Sequence, residues 1–522
     1  MVAPQLDGAP PPVLAVRTPD PSRRARRLGL VGALMMASGG LGAGALPVPN
    51  PLFGQRLIGL PSRNVTLAIA VTYTGIVLMV LAWLWMAKML RSHGATAPAP
   101  TIAQLARTTA TWALPLAVAP PLFSRDVYSY LAQSAELARG IDPYLLGPAG
   151  GLGIDDPLVR SIPTIWRDTP APYGPLFLVV GRGITALTGD NVVLGIFAYR
   201  VLALAGLALI IWTLPRLARR CGVDVGLALW LGVGNPLVLF HLVSGTHNES
   251  LMIGLFLAGM EIGLRAGSRA FDPHLLGGAF LIVCASAVKL PALLVLGFLG
   301  LHWARRRGGK IRDVAVAAAV LTAVTVLVYT PLSLGTGVGL GWTTTLAVPT
   351  LILSWMSTAT DLGLIGGGVG ILGGLGDHTD AVLALFRGVG LAIAAVLGVR
   401  LLWMVYRGRL DPITGMAAGL GAVVLLGPVV HPWYVLWGLI PLAATRALPS
   451  YRRALLAASA VLAVVVPPTG ADFNFRAFQL PLALVAALVM LAVLIAVQRR
   501  QIQGATGVDI DALPGHAPLV ND

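Results

Sequence analysis

Apolar residues run almost unbroken for roughly 17 to 25 positions at a time, and polar residues return only in short clusters between the runs. The runs fall at about 28–46, 66–90, 104–122, 190–215, 224–242, 247–266, 273–287, 290–304, 313–332, 379–406, 412–430, 433–448, 453–467 and 477–498. In lipid every backbone polar group must be satisfied within its own segment, so runs of this kind are read as helices. The pattern predicts an all-α polytopic membrane protein with about fourteen (12–14) transmembrane helices in one domain, 28–498. A Pro-rich arm (1–27) and a polar tail (501–522) flank that domain and are expected to be disordered. Two long interruptions remain, 123–189 and 333–378. The first holds an apolar stretch, 173–189, expected as a half-inserted or interfacial helix; the second is Gly-rich and expected as a loop at the membrane edge.

Composition supports the membrane reading. Of 522 residues, 56% are hydrophobic and 11% charged, with mean hydropathy +0.80, where a soluble domain carries about 25% charged residues. The net charge of +15 would suggest nucleic acid in a soluble chain. Here the basic residues sit beside the apolar runs, where they act as topology anchors, and no nucleic-acid partner is expected. With both termini cytoplasmic, one side collects Arg23–Arg27, Lys88, Arg91, Arg216–Arg220, Arg265, Arg269, Arg305–Arg312, Arg407, Arg409, Arg446, Arg452, Arg453, Arg499 and Arg500. The small-residue stretch "GAGAL" offers a signal-peptide alternative, but the first run is longer than an ordinary h-region, which favours a retained helix. Two cysteines, Cys221 and Cys284, define no disulfide framework.

The remaining polar chemistry gathers on the opposite, outward side. Asp126 follows the third run, "SGTHNESLM" (244–252) joins the fifth to the sixth, Lys289 sits in "VKLP", and "HPWYVLW" starts at His431. Polar groups at membrane depth cost on the order of 2.5–3.5 kcal/mol each on insertion scales, so their convergence predicts a shared outward cavity. Each also has a structural reading. Ser124 and Asp126 suit the start of a helix through Arg139, with Asp126, Ser129, Gln133 and Glu136 on a polar face, as in a helix lying on the bilayer surface. His247, Asn248 and Glu249 suit a helix start, and His431, Trp433, Tyr434 and Tyr173 suit an interfacial aromatic belt. Lys289, bracketed by apolar residues, either snorkels outward or meets an anion.

No metal motif, P-loop, G-x-S-x-G or kinase signature occurs, so no cofactor or metal is expected. "GVGILGGLG" matches a dinucleotide fingerprint, but no strand precedes it. A rim carboxylate, nearby cations and lipid-facing walls suit a substrate with a polyprenyl tail and a phosphate head. Asp126 would take the proton of an attacking hydroxyl, while Arg125 and Lys289 stabilise charge on a departing phosphate.

"FSRDVYSYLAQSAELARGIDPY" (123–144), with "APYGPLF", "HNESLMIGL", "VKLPALL" and "HPWYVLW", resembles the actinobacterial polyprenol-phosphate-mannose-dependent α-(1→6)-mannosyltransferases, over roughly 28–498. The resemblance implies a GT-C glycosyltransferase bundle, a polyprenyl-phosphate-mannose donor, a lipomannan-type mannan acceptor and inversion at the sugar. It implies Asp126 as catalytic base, Arg125 beside the donor phosphate, and His247 and Asn248 in the cavity wall, with Tyr128, Tyr173, Glu249, His431, Trp433 and Tyr434 as further cavity candidates. The expected setting is the plasma membrane, with the active site outside and no obligate protein partner. An arabinofuranosyltransferase using a lipid-phosphate pentose, and a lipid-linked sugar flippase or transporter, remain open from the residues alone.

Overall fold

The structure is a computed structural model that describes residues 20–91, 99–346, 348–446, 449–470 and 479–506. No strand occurs among the described residues. The N-terminal layer consists of α1 (Arg23–Ala43), the short α2 (Leu60–Arg63), α3 (Val65–Arg91) and α4 (Ile102–Val118). The interruption at 123–189 holds α5 (Asp126–Ala138), the short α6 (Pro148–Leu152), α7 (Pro157–Ser161) and α8 (Thr164–Arg167), and α9 (Pro175–Thr188). Next come α10 (Val192–Arg220), α11 (Val225–Gly232), a π-helical segment Val238–Ser244, α12 (Glu249–Gly263), α13 (Pro273–Val288) and α14 (Leu294–Arg307). The C-terminal part comprises α15 (Ile311–Thr336), α16 (Thr358–Leu372), α17 (Thr379–Tyr406), α18 (Pro412–Leu426), α19 (Leu436–Ala443), α20 (Pro449–Val465) and α21 (Gln479–Thr506).

Each apolar run overlaps at least one of these helices, and the run 224–242 is divided between α11 and the π-helical segment. Four of them, α3, α10, α15 and α17, are long and apolar enough to cross a membrane by length and composition. Leu327, Val396 and Leu488 turn apolar side chains to the outside of the bundle, as a protein solvated by lipid requires. Between helices the driving force is close packing rather than water exclusion, and small residues supply it. A Cβ on Gly32 of α1 would lie 2.6 Å from the Gly75 carbonyl oxygen of α3, and one on Gly259 of α12 would lie 2.6 Å from that of Gly278 on α13. The backbones touch at both crossings.

The bundle has two chemically distinct ends. At one, Glu261 holds Arg265 at 2.6 Å and Arg220 at 3.7 Å, Arg307 meets Asp313 at 3.2 Å, and the Arg306 guanidinium donates to the Ala266 carbonyl. The Tyr406 hydroxyl donates to the Gly309 carbonyl at that same end. α12 runs from this end at Gly263 to Glu249, α13 runs from Pro273 to Lys289, and α14 runs back to Arg307. At 1.5 Å per residue the 15 residues of α12 separate the ends by about 22 Å. Glu249, Lys289 and the segment after α18 that carries His431 lie at the other end, with Asp126.

Three expectations are corrected. Helix α1 starts at Arg23, inside the arm expected to be disordered. Asp20 accepts from the Ser22 N–H and pairs with Arg26 at 2.8 Å, so the first turn is anchored; residues 1–19 and the tail beyond 506 lie outside the described residues. The Gly-rich part of 333–378 is largely the helix α16 rather than a loop, because its glycines admit close packing on α17: a Cβ at Gly363 would sit 2.7 Å from the Leu383 Cα. Finally, α5 does not lie on a surface with one polar face in water. Val127 through Leu137 are all buried, covered chiefly by α9, α10, α6 and α7. α9 has 14 residues, fewer than the roughly 20 needed to span.

Candidate active site

Two strained turns deliver the site residues. Phe123 and Thr246 are the non-glycine residues with positive φ among the described residues, at 68° and 60°. This region is costly for side chains of that size and persists only where the surroundings hold it. Phe123 is held by its N–H donating to the Pro468 carbonyl at 2.9 Å and by its ring stacking on Phe240 at 4.8 Å. The turn ends with the Asp126 N–H donating to Ser124 Oγ at 3.1 Å, and Asp126 enters the first turn of α5, where the helix dipole favours a carboxylate.

Thr246 turns the chain from the π-helical segment into α12. A buried arginine of α10 fixes it: Arg200 Nε donates to Thr246 Oγ1 at 3.3 Å and Nη2 to the Ser244 carbonyl at 3.1 Å. Its Nη1 donates to the carbonyls of Ala117 and Ala119 at the end of α4, at 2.9 and 2.8 Å. Arg200 thereby ties the chain entering α5 to the loop entering α12. His247, Asn248 and Glu249 follow.

The His247 ring lies on Trp433, centroids 3.9 Å apart, with Nδ1 3.4 Å from Asp126 Oδ2 and 3.7 Å from Glu249 Oε2. Glu249 Oε1 accepts from Lys289 Nζ at 2.5 Å, and Lys289 also sits 4.2 Å from the centre of the Tyr434 ring. His431 stacks on the other side of this group, 4.6 Å from Trp433. Carboxylate, imidazole, carboxylate and ammonium thus adjoin in sequence, drawn from α5, the loop before α12, α12 itself and the end of α13. Burial, and then the Glu249 carboxylate, push Asp126 up to about 6, against the opposing pull of Lys289 and Ser124. A carboxylate tuned this way suits a general base operating near neutral pH.

A cleft of about 540 Å³, its open mouth included, starts at Asp126. Tyr173, His431 and Tyr434 line it with Asp126; Trp166, Thr169, Ser129 and Gln133 complete the polar and aromatic part of the wall. His247, Glu249, Lys289 and Trp433 stand beside it as a supporting layer. Asn248 is buried there too, its N–H 3.5 Å from Tyr130 Oη and both side-chain polar atoms without a partner.

Arg125 and Tyr128 turn elsewhere. Arg125 donates to the carbonyls of Ser161 and Leu46 at 3.2 and 2.9 Å, and the Tyr128 hydroxyl donates to the Ala45 carbonyl at 2.5 Å. Together they fasten α5 to the segment after α1, and Tyr128 borders a separate apolar groove with Arg200. Among the described residues no three His, Cys, Asp or Glu side chains are arranged to hold a metal ion.

Sequence reasoning missed Arg200, Tyr130 and Trp166. Ser129 and Gln133 were visible as the i+3 and i+7 companions of Asp126, but their face was assigned to water.

A helical membrane protein with a half-buried acid at the head of an aromatic-walled cleft is the class that this geometry defines. Residues 26–305 match the family model described as "Alpha-(1->6)-mannopyranosyltransferase, N-terminal domain", and residues 359–496 match the "MptB C-terminal domain". The chain is 45% identical to a Mycolicibacterium smegmatis protein named "Probable alpha-(1->6)-mannopyranosyltransferase", over 96% of this chain and 92% of the relative. It is 44% identical to an α-(1→6)-mannopyranosyltransferase of Mycobacterium tuberculosis, over 91% and 87%. Identity to the α-(1→6)-mannopyranosyltransferase B of Corynebacterium glutamicum is 40%, over 85% and 77%. No solved structure matches. The chain belongs to the α-(1→6)-mannopyranosyltransferase family.

Proposed function

We propose that this protein transfers mannose from a polyprenyl-phosphate-mannose donor to an α-(1→6)-mannan acceptor of the lipomannan type, with inversion at the anomeric carbon. Asp126 takes the proton of the acceptor's 6-hydroxyl as that oxygen attacks C1 of the donor sugar. The C1–O bond to phosphate breaks, the electron pair leaves with the lipid phosphate, and the proton ends on Asp126. The reading rests on one observation above others: a carboxylate with its pKa pushed up to about 6, placed at the head of a cleft walled by Tyr173, Tyr434, His431 and Trp166. Such a base is ionised at neutral pH and still basic enough to accept a proton.

Lys289 is the cation this arrangement offers to the leaving phosphate, with its charge shared with Glu249. Arg125 would reach a phosphate only by giving up the Ser161 and Leu46 carbonyls. The GT-C bundle of about fourteen (12–14) spans, the extracytoplasmic site and the cytoplasmic termini belong to the same proposal. The separation of the arginine-rich end from the Asp126 end supports them, because basic flanks resist translocation.

The test is transfer from labelled polyprenyl-phosphate-mannose to a short α-(1→6)-mannoside by purified protein. Product with a new α-(1→6) linkage supports the reading. A protein that binds and moves the lipid-linked sugar without forming a glycoside overturns it.

A further inference from the structure

The wall of the cleft that leads away from Asp126 carries two buried polar atoms with nothing to bond. Ser129 and Gln133 are 5% and 2% exposed, and Ser129 Oγ and Gln133 Oε1 have no hydrogen-bond partner. Both residues line the cleft. At i+3 and i+7 from Asp126 they share its face of α5, about 4.5 and 10.5 Å further along the helix axis. Burying a hydroxyl and an amide oxygen without partners is unfavourable, so a partner supplied by a ligand is the economical explanation. The half-buried indole of Trp166 lines the same cleft.

The chemistry of this wall selects its occupant. None of the residues lining the cleft is a lysine or arginine, and Lys289 stands behind Tyr434 and Glu249, so no cation belongs to the Ser129–Gln133 stripe to answer a phosphate. A neutral hydroxyl, an amide and aromatic faces instead match a sugar ring, whose hydroxyls hydrogen-bond and whose C–H face packs on an indole. Beyond its reacting sugar the donor continues as phosphate and apolar chain, neither of which suits this stripe. Beyond its reacting hydroxyl a mannan acceptor continues as more sugar.

On the basis of the proposed mannosyl transfer, we infer that Ser129, Gln133 and Trp166 form an acceptor subsite that binds the sugar unit next to the one being extended. Gln133 Oε1 accepts from a hydroxyl of that unit, Ser129 Oγ donates to or accepts from another, and Trp166 underlies the ring. The enzyme therefore prefers acceptors of two or more sugar units to a single one.

The test uses full-length protein with α-(1→6)-linked mono-, di- and trimannosides. For Gln133→Leu the acceptor KM rises about tenfold for the di- and trimannoside, the effect of one lost hydrogen bond in a closed site. The donor KM and the kcat/KM for the monomannoside stay within about twofold of wild type. Ser129→Ala, a smaller change, shows the same pattern and covers the case in which Gln133→Leu fails to fold. Equal losses on mono- and dimannoside, a rise in donor KM, or no change in either variant overturns the subsite.

Calorimetric binding of trimannoside without donor tests the subsite separately from transfer. Weaker binding by Gln133→Leu supports it even if wild type forms no glycoside. Unchanged binding contradicts it even if transfer is confirmed.

Discussion

His247 Nδ1 lies 3.4 Å from Asp126 Oδ2, and the same nitrogen is 3.7 Å from Glu249 Oε2, so one imidazole stands between the half-buried carboxylate of Asp126 and the buried one of Glu249. Its position follows from two constraints far apart in sequence. Arg200 fixes the turn at Thr246, and Trp433 stacks on the ring. Asp126 is therefore placed by its own helix and also by a neighbour that cannot swing away.

The first prediction concerns pH. A base must be ionised to act, and Asp126 is pushed up to about 6 by burial and by Glu249. The rate of transfer should rise with pH through about 6, level off above it, and be lost below. Glu249→Gln removes a negative neighbour and should move the midpoint downward. A pH–rate profile of both proteins checks this; an unchanged or higher midpoint in the variant would contradict it.

The Lys289–Glu249 pair makes a second prediction. Glu249 is fully buried and Lys289 nearly so. Lys289→Met leaves a buried carboxylate without its cation and should cost about 3–5 kcal/mol of stability. Combining it with Glu249→Gln should recover much of that loss, measured as a coupling between the two substitutions in denaturation. Strictly additive losses would show that the pair is not coupled.

Glu136, three residues beyond Gln133 on α5, gives a third. Both its oxygens lack partners, and burial, with Asp142 adding, pushes it up to about 8 from 4.5. The folded value lies above the unfolded one, so folding favours the neutral acid. Its contribution is complete below about 4.5 and is lost progressively as pH rises to about 8. Glu136→Gln should match wild type in melting temperature at pH 4.5 and exceed it at pH 8.5. Equal pH dependence in the two proteins would contradict this.

Orientation provides a fourth. With Cys221 and Cys284 replaced, a cysteine at the exposed Leu187, near the C-terminal end of α9 in the 123–189 interruption, should react with an impermeant reagent applied to intact cells. One at the exposed Arg306 should react only after permeabilisation. Labelling of position 306 from outside would invert the proposed topology.

These residues also show what the sequence could carry. Helix positions were legible because lipid demands long apolar runs. The clustering of Asp126, His247, Glu249, Lys289 and His431 was legible because polar groups are costly at such depths. The environment of each was not. The i, i+3, i+7 polar stripe of α5 reads the same whether it faces water or a cleft, and only the covering by α9 and α10 decides between them. The pairing of Lys289 with Glu249 was not legible, because the two lie 40 positions apart. Arg125 sits next to the key acid in sequence, yet its guanidinium is used on backbone carbonyls, while the distant Arg200 fixes the loop that carries His247.

The central claim is that Asp126 is the base for glycosyl transfer. Wild-type protein and Asp126→Asn should be compared for incorporation of label from polyprenyl-phosphate-[¹⁴C]mannose into an α-(1→6)-mannoside, with donor binding measured in parallel. The account predicts a fall of about 10²–10⁴-fold in transfer with donor affinity retained. Transfer by Asp126→Asn at the wild-type rate would contradict it.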